Sequence, residues 1–166
     1  KSVGAHRVDC LAWEFEMGLA REKQNIANEM GLDIRLKYIP REIMEPNCTK
    51  CQFFEVGYVT AELVRRPHGG VDVRLTDFFP SLDENDTLRQ RAELSPFDFI
   101  DFWAVDFDYH DGQPFVHHWQ DFRTRRDRGL KIESDLSYDK PGPYRVCVKV
   151  IDVFGVEANT VSELAD

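Results

Sequence analysis

With 166 residues, 42% of them hydrophobic and 31% charged, the chain is long enough and apolar enough to bury a core of its own, which excludes a disordered tail. Its net charge of −9 leaves no general basic surface, so nucleic acid can be held through charge only at a local patch. No apolar run approaches the roughly 18 residues of a membrane span, and the Lys-Ser-Val start resembles neither a signal peptide nor an initiator methionine, so the expectation is a soluble, cytoplasmic fragment of a longer chain with no membrane partner.

Val8-Asp-Cys-Leu-Ala-Trp-Glu-Phe15 is an apolar run that predicts a buried strand. Gly18 and the polar stretch after it introduce a helix predicted from about 20 to 30, closed by Gly31. Residues 32–39 then alternate apolar and polar up to Pro40, as a half-buried strand does. Strand, helix and strand make a βαβ element over residues 1–46, too small to be stable alone and so expected to form part of a larger α/β layer.

From Phe53 the texture changes. Extended runs at 53–64 and 71–79 flank Arg65-Arg-Pro-His-Gly-Gly70, whose two glycines signal a hairpin. Residues 80–96 read as an acidic connection with a short helix around 88–94. Further strands are expected at 100–109, 115–122, 130–134, 144–153 and 158–164, with turns at 110–112, 141–142 and Gly155. In 144–153 the alternation puts Tyr144, Val146, Val148 and Val150 on the core face and Arg145, Cys147, Lys149 and Ile151 on the other. The fold class is therefore α+β, mostly β: a short βαβ element followed by an immunoglobulin-like β-sandwich over 53–166.

Several groups of side chains invite a chemical reading. Cys48-Thr-Lys-Cys51 has the spacing of half a zinc site, with His68 the nearest further ligand. The plainer reading is a turn with two thiols, and free thiols are expected at Cys10, Cys48, Cys51 and Cys147. Asp101, Asp106, Asp108, His110 and Asp111 form an acidic stretch that could hold a hard cation, yet the spacing is not that of an EF-hand. His117 and His118 sit on a predicted strand and face opposite ways, which disfavours a shared metal. Glu14, Glu16, Glu22 and Glu29, with Asp33 to Lys37 as the closest match to an acid-x-lysine strand, are a near miss for nuclease chemistry. Arg123, Arg125, Arg126, Arg128 and Lys131 are the one strongly basic patch. They suit phosphates, with Trp119 and Phe122 close enough to stack, or they pair with local acids such as Asp106, Asp108, Asp121 and Asp127.

The runs Leu11-Ala-Trp-Glu-Phe-Glu-Met-Gly18, Gly31-Leu-Asp-Ile-Arg-Leu-Lys-Tyr-Ile-Pro-Arg-Glu-Ile-Met44, Phe99-Ile-Asp-Phe-Trp-Ala-Val-Asp-Phe-Asp108, Trp119-Gln-Asp-Phe-Arg-Thr-Arg-Arg-Asp-Arg128 and Val148-Lys-Val-Ile-Asp-Val-Phe-Gly155 follow one another in an order that resembles the C-terminal region of site-specific, adenine-specific DNA methyltransferases similar to the modification subunits of type III restriction-modification systems. Residues 105–112 and 144–155 also resemble immunoglobulin-like domains of the polycystic-kidney-disease type, although Tyr109 and His110 depart from the glycine turn of that pattern. The first resemblance implies S-adenosylmethionine as the cofactor of the parent protein, and as partners DNA, the rest of the methyltransferase chain and a restriction subunit. The family's Asp-Pro-Pro-Tyr-type and Phe-x-Gly-x-Gly-type motifs do not occur here, so no catalytic or cofactor residue is carried over and the chain is expected to be inactive alone. The expectation is a noncatalytic fragment that positions DNA or a partner subunit; the alternative is a protein-interaction or structural module without nucleic-acid contact.

Overall fold

The computed structural model describes residues 6–16, 19, 22, 26, 27, 29–47, 51–67, 70–83, 85–135, 138 and 143–164. The fold is mostly β, and the strands of the described residues gather into three sheets.

The first sheet has the order β1-β2-β3 and is built from β1 (Arg7–Ala12), β2 (Asp33–Tyr38) and β3 (Phe54–Glu55). β1 and β2 pair in parallel, and of the described residues between them Leu19, Glu22, Ile26, Ala27 and Glu29 are helical. Gly31 ends that helix with φ +70, a conformation that costs glycine little, and the Leu32 N–H returns to the Ala27 carbonyl at 2.8 Å. The expected buried strand forms but is not buried. Among the described residues β1 is the outer strand of the sheet, and Val8 and Leu11 are 41% and 52% exposed because nothing described covers them.

The predicted strand 53–64 is broken in two. β3 pairs antiparallel with β2, and only from Tyr58 does the chain enter the hairpin of β4 (Tyr58–Arg65) and β5 (Val71–Phe79). The break falls at Gly57, where a Cβ would lie 2.9 Å from the Phe79 carbonyl oxygen and 3.0 Å from the Ser81 nitrogen. Gly70 has φ +85, as the hairpin signal requires, while Gly69 and the expected turn at Pro141 and Gly142 lie outside the described residues. Along β5, Val71, Val73 and Leu75 face the core, and then Phe78 does. A register shift opposite Thr60 and Ala61 inserts one residue and moves the inward parity by one.

The short helix α1 (Asp86–Leu94) starts where Asn85 accepts from the Thr87 and Leu88 N–H groups at 3.1 Å. It buries Ala92 and ties back to β3 through the Arg89–Glu55 ion pair. A 3-10 turn (Pro96–Phe99) then delivers the chain to β6 (Ile100–Asp106), the second strand of a four-stranded antiparallel sheet of order β7-β6-β8-β9, with β7 (Trp119–Phe122), β8 (Tyr144–Asp152) and β9 (Glu157–Leu164). As expected, Tyr144, Val146, Val148 and Val150 are buried on one face of β8. They meet Trp103 and Val105 of β6 and Val71, Val73 and Leu75 of β5 in one apolar core shared by the two sheets. Burial of these aliphatic and aromatic side chains is the main term that holds the two sheets together.

The expected strand at 130–134 is a looser segment that runs beside β5. The Leu75 N–H donates to the Ile132 carbonyl and the Ser134 N–H to the Val73 carbonyl, both at 2.8 Å. Residues 115–118 do not extend β7 because they fold over the outer face of β6, where the buried Asp106 carboxylate accepts from the Val116 N–H at 2.8 Å and the Asp108 N–H at 3.1 Å. Cys147, which the alternation places on the outer face opposite Asp106, is buried as well.

Candidate nucleic-acid interface

The arginine-rich segment leaves β7 at Phe122. The Arg123 N–H still continues the strand ladder by donating to the Asp101 carbonyl at 2.8 Å. The Arg123 side chain lies along the backbone: Nε donates to the Ile100 carbonyl at 2.7 Å, one terminal nitrogen to the Phe97 carbonyl at 3.1 Å and the other to the Arg128 carbonyl. A planar fork with five N–H donors suits this task, and it leaves Arg123 poorly placed to serve a phosphate.

Beyond Arg123 the chain makes a tight turn. The Asp127 N–H donates to Thr124 Oγ1 at 2.8 Å, the Thr124 N–H to the Asp127 carbonyl at 2.6 Å, and the Gly129 N–H to the Asp127 carboxylate at 2.9 Å. Local hydrogen bonding by Thr and Asp is what fixes such turns. Asp127 is thereby engaged with the backbone, and the arginines around it keep their charge unanswered. The side chains of Arg125, Arg126 and Arg128 are exposed, and among the described residues none of the three makes a hydrogen bond or ion pair. By contrast Arg7, Arg35, Arg66, Arg74, Arg89 and Arg145 are each paired with a carboxylate.

Lys131 departs from the expected patch. Its ammonium pairs with Asp135, whose hydrogen bond raises the lysine pKa, and its N–H donates to Asp121 at 2.7 Å. Asp135 is held below the usual carboxylate range by Lys131 first and by the Trp119 indole N–H, 2.6 Å away, second. Trp119 therefore has its polar edge bound and its ring 4.4 Å from that of Trp103, whereas Phe122 is 50% exposed. The acids expected as alternative partners of the arginines have other contacts: Asp106 stands 3.2 Å from His118 Nδ1, and Asp108 lies 3.5 Å from His110 Nε2.

The weaker metal candidates do not assemble. Among the described residues no three His, Cys, Asp or Glu side chains come together as a cation site. Cys48 and His68 lie outside the described residues, and Cys51 is disulfide-bonded, which overturns the free-thiol expectation there and removes the thiolate a zinc ion needs. Cys10 and Cys147 are free thiols. His117 and His118 diverge as expected: His117 meets Gln120 at 3.0 Å, and His118 Nδ1 accepts from the Phe107 N–H at 3.2 Å.

One feature escaped the sequence reading. A cavity of about 550 Å³ is lined by Asp9, Leu11, Lys37, Gln52, Phe53 and Asp83, with Cys51 and Asn85 at its wall. Inside it the buried Lys37 ammonium meets Asp9 at 2.9 Å. Burial raises the Asp9 carboxyl, but hydrogen bonds from Arg7 and Lys37 outweigh that and hold it below its ordinary value. The parallel pairing of β1 with β2, which sets Leu11 beside Lys37, creates this neighbourhood, and strand alternation alone does not reveal it.

No protein-family model, curated protein or solved structure matches the chain. Among the described residues no helix is long and apolar enough to cross a membrane.

Proposed function

We propose that the chain is a noncatalytic DNA-positioning module, the C-terminal portion of an adenine-specific DNA methyltransferase of the type III modification kind, built on an immunoglobulin-like sandwich. The observation that carries this reading is the turn at 124–128, which presents three exposed guanidiniums without carboxylate partners among the described residues, in a chain of net charge −9. Unpaired arginines at a hydrogen-bonded turn can meet phosphates without first breaking internal ion pairs. S-adenosylmethionine and the methyl transfer belong, in this reading, to the rest of the parent chain, since neither family motif for them is present.

Binding of the chain to labelled DNA across a salt series tests the reading, with the triple variant Arg125→Ala, Arg126→Ala, Arg128→Ala alongside. Each lost phosphate contact lowers the salt slope by about 0.9 on duplex and about 0.7 on single strands. Binding with the same slope in the variant would sink the assignment.

A second reading, docking of the remainder of such a chain or of a restriction subunit, is favoured by the free edge of β1 and the 52% exposure of both Leu11 and Trp13. A sheet edge of this kind pairs readily with another strand. Replacing Leu11 with Lys should weaken that docking and leave DNA binding unchanged.

A further inference from the structure

The outer face of the four-stranded sheet and the segment 115–118 folded over it together carry a row of rings that the core does not use. Trp103 and Val105 of β6 point inward and are fully buried, while Phe102, between them and Asp101, faces out directly opposite Phe122 across the β6–β7 pair. The His117 ring lies 5.8 Å from Phe102, Phe115 stands edge-on 5.0 Å from His117, and the Lys149 ammonium sits 4.9 Å over Phe115. None of Phe102, Phe115 and Phe122 belongs to the apolar core, and Phe122 is half exposed immediately before the clamped Arg123.

Resting on the nucleic-acid reading above, we propose that this ring row stacks the bases of a single-stranded stretch whose phosphates lie on Arg125, Arg126 and Arg128. The two halves of the surface are chemically unlike and complementary to the two halves of an unpaired nucleotide. A ring accepts the π face of any base, and a guanidinium accepts the phosphate next to it. Duplex DNA hides its base faces in the stack, so the rings have nothing to meet there. The positive charge that follows Phe122 in sequence is unpaired among the described residues of an acidic chain, which selects an anionic strand over an apolar peptide.

The test is fluorescence anisotropy with three probes of equal length: a single-stranded oligonucleotide, a deoxyribose-phosphate oligomer without bases, and a duplex. Phe122→Ala, Phe122→Trp and the triple arginine variant are compared with the unaltered chain. The single strand should bind more tightly than the other two. Phe122→Ala should weaken it by about tenfold, within the range for loss of one stacked base. Affinity for the base-free oligomer and the salt slope should not change in Phe122→Ala, and Phe122→Trp should restore binding. Equal affinity for the base-bearing and base-free strands, preference for the duplex, or full displacement by polyglutamate would overturn the stacking proposal, while an arginine-dependent salt slope would leave phosphate binding standing. No binding to any of the three probes at low salt would overturn both.

Discussion

Arg123 Nε donates to the Ile100 carbonyl at 2.7 Å, so the first residue of the arginine segment is bound to the backbone at the head of an interior strand. The same guanidinium reaches Phe97 and Arg128, and it therefore joins the 3-10 turn, β6 and the arginine loop at one point. Replacing Arg123 with alanine leaves three carbonyls without this donor and should cost about 1–3 kcal/mol of stability. Arg125→Ala, which removes an exposed side chain without partners, should stay within about 0.5 kcal/mol. Urea unfolding of the two variants measures the contrast. Equal costs would mean that Arg123 is no anchor.

The loop is held from the other side by Trp103, whose indole N–H donates to the Lys131 carbonyl at 2.7 Å from a fully buried position. Trp103→Phe keeps most of the ring but orphans that carbonyl and leaves a small void, so a loss of about 2–4 kcal/mol is expected. Hydrogen exchange should accelerate across 130–135 before it does in β8. Uniform acceleration across both segments would assign Trp103 to packing alone.

Much of this architecture is legible in the residues, for physical reasons that differ along the chain. The Tyr144 to Val150 alternation is reliable because β8 lies between two hydrogen-bonded neighbours and has one inward face. The helix ending at Gly31 and the cap at Asn85 are local, and local chemistry decides them. What escaped depends on long-range partners. Nothing near Val8 tells that β1 is an edge, nothing near Cys147 tells that the outer face of β8 is buried there, and nothing in the arginine run separates Arg123 from Arg125. The difference between those two arginines arises from carbonyls more than twenty residues upstream, at Phe97 and Ile100. Charge clustering identifies the patch but cannot divide it into anchors and free cations.

Gly57 lies where one predicted strand becomes two, and the chain there packs too closely for a side chain. A methyl group there meets the Phe79 carbonyl and the Ser81 and Pro80 backbone, none of which can swing aside as a side chain would. Gly57→Ala should cost about 1–3 kcal/mol through overpacking. A thermal melt of this variant reads the loss directly, and an unchanged midpoint would show that β3 and β5 shift apart at no cost.

Cys147 gives the clearest dependence on pH. Burial pushes its thiol up from 9.0 to about 11, with the Asp106 carboxylate adding to the shift. An unfolded chain releases this proton near pH 9 and the folded one near 11, so between these values the folded state binds more protons and stability falls as pH rises. The contribution is fully present below pH 9 and is lost through about 11, an amount on the order of 2–3 kcal/mol for a side chain this buried. Other groups titrate in the same window, so the informative quantity is the stability difference from Cys147→Ala, measured near pH 8 and again at about pH 10.5. That difference should shrink at the higher pH, because alanine has no thiol to ionise. At the lower pH the thiol should also resist alkylation in the folded state and react on unfolding, since the thiolate is the nucleophile. A constant stability difference, or ready alkylation of the folded chain at Cys147, would mean that this position on β8 is open to solvent and would overturn its burial.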